Sequence, residues 1–215
     1  MESADEEEEV TLDQALEMAL QHHQAGDFEQ ATNIYEQILA FDPENVEANH
    51  LLGVMALQTG NLSPALHLIS KAVAAAPDFA EAHNNLGLVH QQRKKPQSAA
   101  DSFRKAIQCD PAFVDAFVNL GSALDDLDDY KEAEAQFRKA LSLSPVHADA
   151  HNNLGLVLHK LVRFEEAVES FQAAINYAAD FAEAYSNLGC SLLILDRHQE
   201  ALESFKQSLT LSPNT

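Results

Sequence analysis

A period of 34 residues runs through almost the whole chain. The segment AEAHNNLGLVH at Ala80 returns as ADAHNNLGLVL at Ala148 and as AEAYSNLGCSL at Ala182. Counting in 34s divides the sequence into six units: 12–45, 46–79, 80–113, 114–147, 148–181 and 182–215. This constrains the fold more than any local propensity. Each unit must be one supersecondary element whose apolar face is buried by its neighbours along the chain. The 215 residues therefore form one quasi-linear array instead of globular domains around a central core.

The period assigns roles. In unit 80–113, Leu86 and Gly87 lie midway along a first helix. Ala99, Phe103 and Ala106, spaced four and three apart, line one face of a second helix. Gly87 leaves room for the partner helix, and Pro111 marks the exit of the second helix. The Leu-Gly pair recurs as Leu52-Gly53, Leu120-Gly121, Leu154-Gly155 and Leu188-Gly189, with Met18-Ala19 in the first unit. The alanine recurs as Ala31, Ala65, Ala133, Ala167 and Ala201, and the large residue as Tyr35, Ile69, Phe137, Phe171 and Phe205. Pro43, Pro77, Pro145 and Pro213 close their units, whereas Ala179 stands at this point in the fifth and predicts a less firmly fixed bend.

This pattern resembles the tetratricopeptide repeat. The resemblance implies an all-α fold, a right-handed superhelical solenoid of six helix-turn-helix units whose first helices line a concave groove.

Residues 1–11 carry Glu2, Asp5 and Glu6 to Glu9 with little to bury, and read as a disordered acidic tail. Thr11 and Gln14 have the spacing of a helix-capping box. The turn inside each unit holds Gly26, Gly60, Lys94, Asp128, Val162 and Asp196 in succession. A left-handed cap suits glycine and tolerates aspartate, so at Val162 the turn either takes another form or is strained. Phe28, Leu62, Pro96, Tyr130 and Phe164 open second helices.

Thirty-four acids against 13 bases give a formal net charge of -21. That excludes non-specific binding to nucleic acid, which needs Lys and Arg to replace counterions, and disfavours anionic membranes. Either the acidity keeps a long surface soluble or it selects a basic partner. Cys109 and Cys190 stand in different units without a CxxC or Cys/His cluster, so reduced structural thiols are expected. There is no signal-peptide pattern and no apolar run of about 18 residues. A cytoplasmic setting is expected. His83 and His151 share a unit position with Phe117 and Tyr185, which points to packing, not metal ligation. No nucleophile elbow, phosphate loop or carboxylate pair is present, so neither an enzyme nor a cofactor is expected.

Positions two, six, nine and thirteen of a unit form one stripe of the first helix. The sixth position is Asn85, Asn119, Asn153 and Asn187 in four consecutive units, preceded by Glu17 and Leu51 in the first two. The second is acidic throughout: Asp13, Glu47, Glu81, Asp115, Asp149 and Glu183. An Asn amide offers both donor and acceptor and so matches a peptide backbone of any sequence. It can equally bond to neighbouring helix backbone. The acids suit the positive end of a helix dipole, worth about 0.3–1 kcal/mol each, and a negative groove follows from them.

The Asn row resembles the asparagine ladder of O-linked N-acetylglucosamine transferases, which implies peptide contact. The first units are similar to repeats preceding such glycosyltransferase domains in bacterial proteins. The remaining bases lie on second helices or turns, leaving Lys160 as the one groove base, unlike the carboxylate-clamp subtype of the family. Leu202, Phe205 and Leu209 share a face of the last helix and are expected to form an exposed strip for self-association. The expected function is a non-catalytic scaffold that binds an extended, basic peptide or partner segment at Asn85, Asn119, Asn153, Asn187, Glu81, Asp115, Asp149 and Glu183. The alternatives are the substrate-recruiting arm of a larger glycosyltransferase or a self-assembling structural protein.

Overall fold

The computed structural model describes residues 11–212. The acidic tail, apart from Thr11, and Pro213 lie outside the described residues. Those residues contain helices and no strand. They fall into two compact units, Met1–Arg93 and Lys94–Thr215. The first holds α1 (Leu12–Gln24), α2 (Phe28–Phe41), α3 (Val46–Gln58), α4 (Leu62–Ala75) and α5 (Ala80–Gln92). The second holds α6 (Pro96–Cys109), α7 (Val114–Asp125), α8 (Tyr130–Leu143), α9 (Ala148–Lys160), α10 (Phe164–Tyr177), α11 (Ala182–Ile194) and α12 (His198–Leu211). Every first helix begins on the residue that opens a 34-residue unit.

Within each compact unit a helix packs on its sequence neighbours. Alternate helices touch as well, α1 with α3 and α3 with α5 in the first, α7 with α9 and α9 with α11 in the second. Within each compact unit the first helices thus make one layer and the second helices pack against it.

Local chemistry sets the ends. Thr11 caps α1 reciprocally: the Gln14 N–H donates to its hydroxyl, and its own N–H donates to the Gln14 side chain. The turns centred on Gly26, Gly60, Asp128, Val162 and Asp196 are Schellman motifs with that residue in the left-handed region. At Val162, φ is +63°. Its N–H donates to the His159 carbonyl, and the Arg163 N–H to that of Leu158. The turn keeps its form, and the β-branched valine bears the strain. Between units, Ala179 does not loosen the bend. The Phe181 N–H donates to the Ala178 carbonyl just as Phe113 does to Asp110 and His147 to Ser144. The chain therefore makes this turn with backbone bonds alone.

Packing inside a hairpin depends on close approach. A Cβ on Gly121 would lie 2.7 Å from the Phe137 ring, and one on Gly155 2.6 Å from that of Phe171. Phe137 and Phe171 are consequently buried. In the first compact unit Tyr35 takes the same role, fully buried with Leu16, Ala19, Ala31 and Ile38.

Candidate functional site

Two residues before Gly121, Gly155 and Gly189 stand Asn119, Asn153 and Asn187. A step of two residues turns about 200° around a helix. Because the glycines face the second-helix rings, the asparagines face away from that layer. All three are half-buried, while Asp115, Asp149 and Glu183 are exposed in the first turns of α7, α9 and α11. α5 carries Asn85 and Glu81 in the same arrangement within the first compact unit.

The asparagines are engaged in a way neither sequence reading anticipates. Asn85 Nδ2 donates to Nε2 of His50 over 2.8 Å. Asn187 Nδ2 donates to Oδ1 of Asn152 over 3.1 Å. Each acceptor lies 35 residues earlier, at the fifth position of the preceding first helix. The bonds run between side chains of adjacent first helices, not to helix backbone. Asn119 is engaged too. The residue 35 before Asn153 is Val118, which offers no acceptor. Among the described residues the Asn153 side-chain amide has no hydrogen-bond partner, and it is half-buried on this face. Comparing fifth and sixth positions of successive units would have found this signal.

His50 is buried edge-on against Phe79. Burial lowers its pKa below the usual range, with Glu81 opposing. It is therefore neutral near pH 7, with its proton on Nδ1 and its Nε2 lone pair held by Asn85. His83 and His151 do more than pack. Nε2 of each donates to a carbonyl six residues back, Pro77 and Pro145, at 2.9 Å. Asn49 Nδ2 does the same to Pro43 over 3.0 Å. The fourth position thus pins the starts of α3, α5 and α9 to the preceding turn.

Lys160 is not a free groove base. Its Nζ sits 2.6 Å from both oxygens of Asp125 and 5.3 Å from the centre of the Tyr130 ring. Three arginines on or beside the second helices are held by second-helix carboxylates. Arg138 bonds Glu134 at 2.8 Å and reaches Glu166 at 3.4 Å, and Arg163 bonds Glu134 at 2.7 Å and Glu166 at 2.6 Å. Burial would raise the Glu134 carboxyl, but the two guanidiniums outweigh it and hold it below the usual range. Arg104 reaches Glu132 in the same manner at 3.4 Å.

At the last hairpin, Leu202 and Leu209 are exposed at 52% and 55%. Phe205 departs from the expected strip. Its ring lies against Gly189 of its own hairpin, where a Cβ would come within 2.6 Å, so it is half-buried and belongs to the packing of α11 on α12.

Helix pairs in sequence, a small residue meeting a large one inside each pair, and an amide-bearing face on the first helices define a repeat protein built for surface contact. The chain belongs to the tetratricopeptide repeat family: family profiles match residues 22–87, 80–113, 118–180 and 182–215. No curated protein matches it. Among solved structures it is similar to MamA, at 26% identity over 75% of this chain and 95% of that one with a TM-score of 0.69. It is also similar to YrrB, described as a tetratricopeptide repeat protein with an unusual peptide-binding site, at 22% identity over 84% and 93% with a TM-score of 0.68. PilF of Pseudomonas aeruginosa matches at 21% identity over 94% and 92% with a TM-score of 0.83. The last two likenesses show the fold alone. Nothing in these likenesses singles out the arm of an O-linked N-acetylglucosamine transferase. Among the described residues no helix is long and apolar enough to cross a membrane.

Proposed function

We propose that this protein is a non-catalytic scaffold whose first-helix face binds an extended segment of a partner protein. Asn119, Asn153 and Asn187 with Asp115, Asp149 and Glu183 form the main contact surface, and Asn85 with Glu81 offers the same contacts in the first compact unit. The observation that carries this reading is the unspent amide of half-buried Asn153, close in the fold to Asp149 and Glu183, which have no ion-pair partner among the described residues. A peptide backbone supplies the acceptor and donor that this amide lacks. The acidic edge favours Lys and Arg in the partner. Cys109 and Cys190 form no disulfide with each other, which fits a cytoplasmic site of action.

The test compares wild type with the Asn119, Asn153 and Asn187 triple alanine variant in affinity capture from source lysate, followed by titration of the captured partner. Each net hydrogen bond is worth about 0.5–1.5 kcal/mol, so the loss of three weakens binding roughly ten-fold to a thousand-fold. An affinity unchanged by all three substitutions rejects the reading.

A further inference from the structure

We infer that the segment bound by the second compact unit carries a cationic side chain and an apolar side chain three residues apart, the apolar one seated at α11. This rests on the proposed peptide-binding role of the first-helix face and adds the chemistry and register of the occupant.

Three observations carry it. The first is an apolar departure at one end of the face. The thirteenth position of successive units reads Gln24, Gln58, Gln92, Asp126, Lys160 and then Ile194. Ile194 is 50% exposed and Leu193 beside it is 46% exposed. A surface position that is polar five times and isoleucine once has gained an apolar contact to offer. The second is the charge on the opposite edge. Asp149 and Glu183 are exposed, without an ion-pair partner among the described residues, and the nearest cation of the face, Lys160, is already held by Asp125. The third is the free amide of Asn153 between the two edges, one helix before Ile194.

The geometry joins them. Packed helices stand about 8–10 Å apart, and an extended chain covers about 3.3 Å per residue. Stepping from the Asn153 rung to α11 therefore takes about three residues. Alternate side chains of an extended chain point to opposite sides. An odd spacing of three sends the cation to the Asp149 and Glu183 edge and the apolar side chain to the Ile194 edge. A spacing of two would send both to the same edge.

The test uses the full chain and fluorescein-labelled synthetic 12-residue peptides in a Gly-Ser background, read by fluorescence anisotropy. The panel holds Arg and Leu three apart in both chain orders, Arg and Leu two apart, Arg alone and Leu alone. The expected result is that one order of the three-apart peptide binds at least about ten-fold more tightly than every other member. Ile194→Gln should erase the contribution of Leu and leave that of Arg. Asp149→Asn with Glu183→Gln should erase the contribution of Arg together with its salt dependence. Peptides that bind and weaken with Asn153→Ala, yet gain nothing from Leu or are indifferent to Ile194→Gln, overturn this inference and leave the binding face standing. If no peptide binds, or if binding ignores Asn153→Ala, both fall.

Discussion

The side-chain amide of Asn85 and the imidazole of His50, 35 residues apart in sequence, meet at 2.8 Å in a hydrogen bond that exists only while the imidazole is neutral. Protonation would put a donor against a donor. Burial of His50 works in the same direction, holding its pKa below the value of about 6.5 expected in the unfolded chain.

The sign of the pH dependence follows. Between the depressed folded pKa and about 6.5 the unfolded chain binds the extra proton and the folded chain does not. The contribution of His50 to stability is therefore complete above about pH 6.5 and is lost as pH falls towards the folded pKa. Gln at this position can accept from Asn85 without titrating. In urea unfolding across pH 5 to 8, His50→Gln should lose less stability on acidification than wild type. Parallel curves would count against the assignment.

Tyr35 occupies the position that Phe103, Phe137 and Phe171 fill elsewhere, and its hydroxyl is buried with no hydrogen-bond partner among the described residues. Burial pushes its pKa up to about 12. An unsatisfied buried hydroxyl costs about 1–3 kcal/mol. Tyr35→Phe should recover about 1 kcal/mol or more in chemical denaturation. A destabilised variant would show that the hydroxyl is satisfied.

Val162 sits in the left-handed region and is 69% exposed, so it gains little from packing there. A left-handed residue with a Cβ costs about 1–2 kcal/mol, against about 0.5–1 kcal/mol for the greater freedom of glycine when unfolded. Val162→Gly should raise stability by about 0.5–1 kcal/mol, and a loss of stability would contradict the strain described for this turn.

Leu202 and Leu209 lie on one exposed face of α12. Sedimentation velocity over a range of concentrations should show the wild type associating with itself, and Leu202→Lys with Leu209→Lys should abolish that association. A wild type that stays monomeric at high concentration would remove this face from consideration.

Helix starts were legible to the residue because the period, the prolines and the small-large pairs all report the same register. Val162 could be narrowed to two outcomes because steric preference is local. The Asn85–His50 and Asn187–Asn152 bonds were not legible from the units taken one at a time. They depend on how far one helix slides along the next, a quantity of one repeat plus one residue that no single unit encodes. Phe205 was misassigned for a related reason: a face named from spacing does not say which neighbour fills it, and Gly189 does. The proline carbonyls held by His83, His151 and Asn49 were missed because a backbone acceptor has no sequence signature.

The pairing of Arg104, Arg138 and Arg163 with second-helix carboxylates neutralises charge on one side of the second compact unit. Asp149 and Glu183 leave uncompensated negative charge on the other. The field of the second compact unit is thus asymmetric, with its negative side at the first helices. A cationic segment diffusing nearby feels a torque before it touches anything, so misdirected encounters are turned towards the amide-bearing face. That advantage belongs to the association rate and not to the lifetime of the complex, and it shrinks as the Debye length falls to about 10 Å near 0.1 M salt.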